Sequence, residues 1–242
     1  MNAIEVCSLS KRYGALTALD ALSLDVKEGE LFGLLGVNGA GKSTLIKILC
    51  GLIRPTSGEA AVAGFSLATE LDKIKAAVDV SPQNTSVAPN LTVRENLAFF
   101  AGIYGVPRAD VPDKVREVAE LFSLTNVLDK RAKTLSGGYA RRVSIAIALI
   151  SSPKILFLDE PTLGLDVLAR RELWRVIGKL KGRITILLTS HYLEEIEALC
   201  DRVAVLCRGK LLAVGTVPEL EQATGTASLE DAFVTLAEKE EN

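Results

Sequence analysis

The stretch Gly36-Val37-Asn38-Gly39-Ala40-Gly41-Lys42-Ser43-Thr44 fits G-x-x-x-x-G-K-[ST], and it lies between an apolar run at 31–35 and a helical pattern, Leu45-Ile46-Ile48-Leu49. Strand, glycine loop and helix in direct succession constrain this chain more than any other feature. The loop's backbone N–H groups must converge on an anion, and the helix must turn its positive dipole end towards it. Lys42 is placed to reach β and γ phosphates, and Ser43 to ligate Mg²⁺. A glycine-rich turn containing Lys-Ser by chance is the alternative, and the matching flanks speak against it. The motif implies nucleotide binding.

The surrounding pattern is that of an α/β chain. Apolar runs at 4–9, 22–26, 31–35 and 60–63 predict strands, and residues 85–152 are dominated by helical periodicity. In that helical stretch Thr92 and Glu95 predict a capping box, and Pro112 with Asp113 predicts a second helix start. Strand signals return at 155–158, 184–188 and 203–206, with helices expected at 167–180 and 192–199. Such alternation implies a largely parallel sheet covered on both faces. Leu97, Phe100 and Tyr104 share one helical face while Phe99 and Ile103 point elsewhere, so this helix either is buried all round or offers a face to another chain.

Composition narrows the functional classes. The 242 residues are 48% hydrophobic and 24% charged, enough for a sizeable core, and 28 basic against 30 acidic side chains give a net charge of −2. That balance argues against bulk binding of nucleic acid or anionic membrane through net charge. Cys7, Cys50, Cys200 and Cys207 lack C-x-x-C spacing and sit in apolar stretches, which predicts reduced core thiols and neither a metal site nor a disulfide framework. No uninterrupted run of 18 apolar residues occurs and the first residues lack the order of a signal peptide, so the chain is not expected to cross a membrane by itself.

Two acids close the apolar run at 155–158. Asp159 is suited to orient a Mg²⁺ shell and Glu160 to polarise an attacking water; adjacent residues on a strand face opposite ways, which favours separate tasks over a shared proton. An ordinary Asp-Glu-Pro turn is the alternative. His191, the only histidine, follows another apolar strand and is read as a γ-phosphate contact at the same sheet edge, against a purely structural role. Ser136 reads as a helix N-cap with Gly137 and Gly138 leaving backbone N–H groups exposed, a second anion site.

These strings, with Gln83 after a strand, Leu135-Ser136-Gly137-Gly138-Tyr139, Asp159-Glu160-Pro161-Thr162, Gly164-Leu165-Asp166 and Ser190-His191, occur in an order and spacing that resembles ATP-binding-cassette (ABC) ATPases over nearly the whole chain. The resemblance implies a P-loop NTPase (RecA-like) α/β core with an N-terminal antiparallel β portion and an inserted α-helical subdomain. The expected layout is an ATPase domain at 1–222, with lobe segments 1–84 and 154–222 around a helical subdomain at 85–153, and a C-terminal helical extension at 223–242. It further implies that ATP and Mg²⁺ bind at Asn38, Gly39, Ala40, Gly41, Lys42, Ser43 and Thr44, with Tyr13 stacked on adenine and Gln83 sensing Mg²⁺ and water. Tyr13 as a surface turn residue and Gln83 as a plain loop amide are the alternatives.

By the same resemblance two cassettes pair head to tail, Ser136, Gly137 and Gly138 of one facing the ATP of the other, and Asp166 lies in the loop crossing that interface. One phosphate loop and one signature segment, Leu135-Ser136-Gly137-Gly138-Tyr139, per chain imply a homodimer or a pair with a related ABC ATPase subunit. The closest likeness is to ATP-binding subunits of ABC-2-type exporters, supported by Arg141-Arg142, Arg170-Arg171-Glu172-Leu173-Trp174 and Leu229-Glu230-Asp231-Ala232-Phe233. It implies integral membrane permease partners and a peripheral location on the cytoplasmic face of the membrane. Phe99 and Ile103 are expected in the groove for the permease. Two positions depart from the commoner pattern: Tyr139 stands where Gln is frequent, and Thr162-Leu163-Gly164-Leu165 replaces a Ser-Ala-Leu type segment. A soluble cassette acting on nucleic acid or ribosomes is the rival; by the resemblance such proteins usually carry a long coiled-coil insert or two cassettes in one chain, whereas here only residues 84–134 separate Gln83 from Leu135-Ser136-Gly137-Gly138, without sustained heptads, so no nucleic acid is expected. A non-hydrolysing regulatory module is opposed by the intact Glu160.

Overall fold

The computed structural model describes residues 1–241; Asn242, the end of the expected C-terminal extension, lies outside them. The chain opens with β1 (Asn2–Tyr13), β2 (Leu16–Lys27) and β3 (Leu31–Leu35), then α1 (Lys42–Leu49), β4 (Ser57–Val62), β5 (Phe65–Ser66), α2 (Leu71–Ala77) and β6 (Val78–Ser81). Three longer helices follow, α3 (Val93–Ile103), α4 (Val111–Leu121) and α5 (Gly137–Leu149). The remainder is β7 (Ile155–Asp159), α6 (Val167–Gly178), β8 (Thr185–Ser190), α7 (Leu193–Leu199), β9 (Arg202–Cys207), β10 (Lys210–Gly215), α8 (Val217–Thr224) and α9 (Leu229–Glu241).

Two sheets form, an antiparallel one in the order β2-β1-β4-β5 and a larger one in the order β10-β9-β3-β8-β7-β6, parallel except for its β10 edge. The parallel strands read as continuous apolar runs because both faces are covered. Leu31, Leu35, Leu156, Leu158, Ile186, Leu188, Val203 and Val205 point into the core shared with the helical insert, α6 and α7. Their neighbours Phe32, Leu34, Ile155, Phe157, Leu187, Ala204 and Leu206 point the other way, onto α1 and the antiparallel sheet. Alternation at period two therefore splits one sheet between two cores. No helix among the described residues is long and apolar enough to cross a membrane.

Register places the chemistry. Leu35 pairs with Ser190 and Asp159 with Thr189, so the C-terminal ends of β3, β7 and β8 are level, and the loops leaving them emerge side by side. In the insert, α3 starts with the reciprocal Thr92–Glu95 capping box, and Leu97 is fully buried while Phe99 and Ile103 are 56% and 60% exposed. The expectation of core thiols fails at Cys7, which is exposed on β1 and faces away from the core, whereas Cys50 and Cys207 are buried; all four are free. Burial pushes the Cys50 thiol up.

Candidate active site

Gly41 caps the N-terminus of α1 at φ +105°, where a Cβ would come within 2.6 Å of the Ala18 carbonyl oxygen, so only glycine fits. The first turn of α1 carries no acid, which leaves its amide dipoles available to an anion. Around this turn lies a cleft of about 460 Å³ lined by Asn38 to Thr44, Tyr13, Gln83 and Glu160. Tyr13 is 48% exposed at the end of β1, with the Lys11 ammonium 5.1 Å from its ring centroid. Lys42 is buried; its Nζ donates to the Gly36 carbonyl at 2.6 Å and the Val37 carbonyl at 3.3 Å, and stands 3.5 Å from Glu160 Oε1.

The two adjacent acids face different partners. Asp159 Oδ1 accepts from Ser43 Oγ at 3.2 Å and from Thr189 Oγ1 at 2.6 Å. Glu160 Oε1 faces Lys42, while Oε2 is 2.5 Å from His191 Nδ1. Glu160 lies just past the strand end at φ +50°, a left-handed conformation costing a bulky residue about 1–2 kcal/mol. It is held there by Thr189, whose Oγ1 and carbonyl both accept from the Glu160 N–H, at 2.9 and 3.2 Å. The turn thus aims the second carboxylate away from the first.

Ser136, Gly137 and Gly138 are not among the residues lining this cleft. Ser136 caps α5 by accepting from the Tyr139 N–H, and Gly138 abuts α6, where a Cβ would lie 2.9 Å from that of Ala169. Asp166 caps α6, its Oδ1 accepting from the Leu168 and Ala169 N–H groups at 2.9 Å. Tyr139 is engaged within the chain: its hydroxyl accepts from Asn126 Nδ2 at 3.1 Å and its ring lies 4.2 Å from the Arg142 guanidinium. Leu163, Val167 and Leu168, beside this segment, are 40%, 60% and 79% exposed.

Three residues that sequence reasoning missed complete the site. Thr189 bridges Asp159 and Glu160. Arg141, noted in the sequence only as part of a basic pair, is buried under the turn that carries those acids, its five N–H groups all engaged by main-chain carbonyls. Glu195 on α7 is fully buried; its Oε1 accepts from Trp174 Nε1 at 3.0 Å, its Oε2 has no hydrogen-bond partner, and the Ser190 and Thr162 hydroxyls lie near the carboxyl group. The signal in the sequence was, for Arg141, a charged side chain leading into an apolar helix and, for Thr189, a polar one at the end of an apolar strand, which in a covered α/β core have to find polar partners, whereas Glu195, one of three glutamates on α7, carried no such signal.

A family model described as ABC transporter matches residues 19–163, and a shorter match, at 138–197, is to one described as AAA domain, putative AbiEii toxin, Type IV TA system. The probable multidrug ABC transporter ATP-binding protein YbhF of Escherichia coli (strain K12) is 40% identical over 96% of this chain, but the chain spans only 41% of that protein's length. The linearmycin resistance ATP-binding protein LnrL of Bacillus subtilis (strain 168) is 38% identical over 88% of this chain and 69% of its own. The daunorubicin/doxorubicin resistance ATP-binding protein DrrA of Streptomyces peucetius is 40% identical, over 93% and 68%. A solved structure described as the ATP binding subunit of an ABC transporter superposes with a TM-score of 0.85 at 32% identity, over 97% of this chain and 99% of that one. With a glycine cradle, two strand-end carboxylates and a serine-capped helix in this arrangement, and with these likenesses, the chain belongs to the ABC transporter family.

Proposed function

We propose that this chain binds and hydrolyses ATP, that it pairs around ATP with a second ABC ATPase subunit, either its own copy or a relative, and that it powers export through separate ABC-2-type permease subunits at the cytoplasmic face of the membrane. In this reading residues 1–222 are the ATPase unit, with 85–153 as its helical subdomain and 223–242 as an extension. The observation that carries it is the division of labour between neighbouring carboxylates, Asp159 on Ser43 and Glu160 between Lys42 and His191. The printed names of YbhF, LnrL and DrrA support the export assignment. The exposed Phe99 and Ile103, apolar and close together on α3, support a contact with another chain.

Ser43 and Asp159 present oxygen donors 3.2 Å apart, the donor chemistry that suits Mg²⁺, and they would hold it together with phosphate oxygens and water. When bound, such an ion would supply positive charge against the charge developing on the transferred phosphate. The chain's own groups do the rest. Amides of Asn38 to Thr44 cradle the phosphates, and Tyr13 supplies a ring face for adenine. Lys42 contacts Glu160, so an arriving γ-phosphate competes for that ammonium and releases the carboxylate to orient water. His191, outside the lining of the cleft, holds Glu160 by its second oxygen and is assigned the γ-phosphate contact through it, and Gln83, which lines the cleft with Glu160, is assigned to the same water. Ser136, Gly137 and Gly138 cap the γ-phosphate held by the partner.

The test is Glu160→Gln. Removing the water-orienting carboxylate lowers ATP turnover by roughly 10²–10⁴-fold while ATP still binds, and trapped ATP shifts the chain from monomer to dimer on a sizing column. Turnover at the wild-type rate refutes the reading.

A further inference from the structure

Arg141 stands third after the glycine pair that opens α5, yet its guanidinium reaches neither solvent nor a carboxylate. Its Nε–H donates to the Pro161 carbonyl at 2.6 Å, Nη1 to the Pro82 and Gln83 carbonyls at 2.6 and 2.9 Å, and Nη2 to the Asp159 and Glu160 carbonyls, both at 2.9 Å. A guanidinium has five N–H donors in a rigid plane, and here each meets a different main-chain carbonyl. These carbonyls belong to two loops distant in sequence, one carrying Gln83 and the other Asp159, Glu160 and Pro161. A buried cation is costly, and burial lowers its pKa to about 10, with the nearby Asp159, Glu195 and Glu160 charges opposing that fall. It therefore remains charged at neutral pH. Core packing does not need such a group, since an apolar side chain fills the same volume without the desolvation cost.

We propose that Arg141 is a positioning residue: it locks the Gln83 loop and the Glu160 turn to each other and to the signature helix, so that movement of α5 is transmitted to both. This rests on the assignment of Glu160 as the water-orienting carboxylate. Glu160 sits at a positive φ, and the Arg141 bonds to the carbonyls of Asp159 and Glu160 fix the peptide on either side of that strained residue. Lysine at this position keeps the charge but has only three donors, and it releases at least two of the five carbonyls.

Arg141→Lys and Arg141→Ala in the full chain test this, with kcat, KM, ATP affinity and thermal unfolding measured together. Arg141→Lys is expected to lower kcat by roughly 10- to 100-fold, the scale of a misplacement near 1 Å, while ATP affinity stays within about threefold because the phosphate cradle is untouched. Added methylguanidinium is expected to restore part of the kcat of Arg141→Ala. If the Ala variant does not fold, the Lys variant decides alone. Wild-type kcat per folded molecule in Arg141→Lys overturns the proposal, as does loss of kcat only in step with ATP affinity, or failure of the Lys variant to fold, since the role is then structural. Wild-type turnover by Glu160→Gln removes instead the assignment beneath it, and the two failures are read from different variants.

Discussion

Glu195 is buried as deeply as any apolar side chain of the core, and only one of its oxygens has a full hydrogen bond. Burial first, and the charge of Glu160 as well, hold its carboxyl above the usual carboxylate range, against hydroxyls of Ser190 and Thr162 and the Trp174 indole that pull the other way. A carboxyl raised by folding binds more protons in the native than in the unfolded chain. Its contribution to stability is complete below the ordinary carboxylate pKa and is lost as pH rises through the folded value. Glu195→Gln keeps the shape and the acceptor for Trp174, and its amide supplies N–H donors to the neighbouring hydroxyls. The variant should therefore melt higher than wild type at pH 8, by an amount near 1 kcal/mol, or about 2–4 °C, and the gap should close towards pH 5. Melting curves at four pH values decide this, and a gap independent of pH rejects it. Residues of this kind were hidden in the sequence for a physical reason. Lys42, Asp159 and Glu160 announce themselves because their neighbours in the chain share their task, whereas the hydrogen bonds of Arg141 and Glu195 go to partners 18 to 59 residues away, most of them carbonyls that every residue possesses.

At the scale of elements, the contact between α5 and α6 sets where the signature sits. Gly138 lets the two helices approach so closely that a methyl group there would stand 2.9 Å from the Ala169 methyl. Gly138→Ala is thus expected to cost about 1–3 kcal/mol in urea unfolding, and Ala169→Gly about 1 kcal/mol from backbone entropy alone. The double variant should be more stable than the sum predicts, because the second change clears space for the first; strict additivity would mean that the helices do not meet there. Elements bounded by side-chain chemistry were readable at their starts: β3 at 31–35, α3 after its capping box, and α6 at Val167 after its Asp166 cap. The hairpin of β1 and β2 was read too short, since pairing continues through the polar Ser10-Lys11-Arg12 and past register shifts that break the alternation. The β10 edge strand and the α8 helix were not read at all, being half-buried and without a strong period.

On the scale of the whole molecule, the proposed reading gives one chain two halves of a phosphate site, and within the chain they do not meet. The cradle opens into the cleft beside Tyr13 and Gln83, while Gly138 turns to Ala169 and Gly137 has Leu165 as its nearest neighbour. Leu163, Val167 and Leu168 expose apolar surface in one short stretch of chain around Asp166. Head-to-tail pairing would bury that stretch and bring each signature to the other's cradle. Leu168 separates pairing from folding, because it is 79% exposed and lies in the first turn of α6, where the helix dipole favours an acid. Leu168→Asp, placed in the Glu160→Gln background, should leave the unfolding free energy of the single chain unchanged within about 0.5 kcal/mol. The same change sets a charge into an apolar contact, and ATP should no longer shift the protein to dimer by light scattering, although each chain still binds nucleotide. If the Asp variant dimerises with ATP as readily as its parent, the exposed start of α6 is not part of the interface, and the two half-sites must be joined by another face.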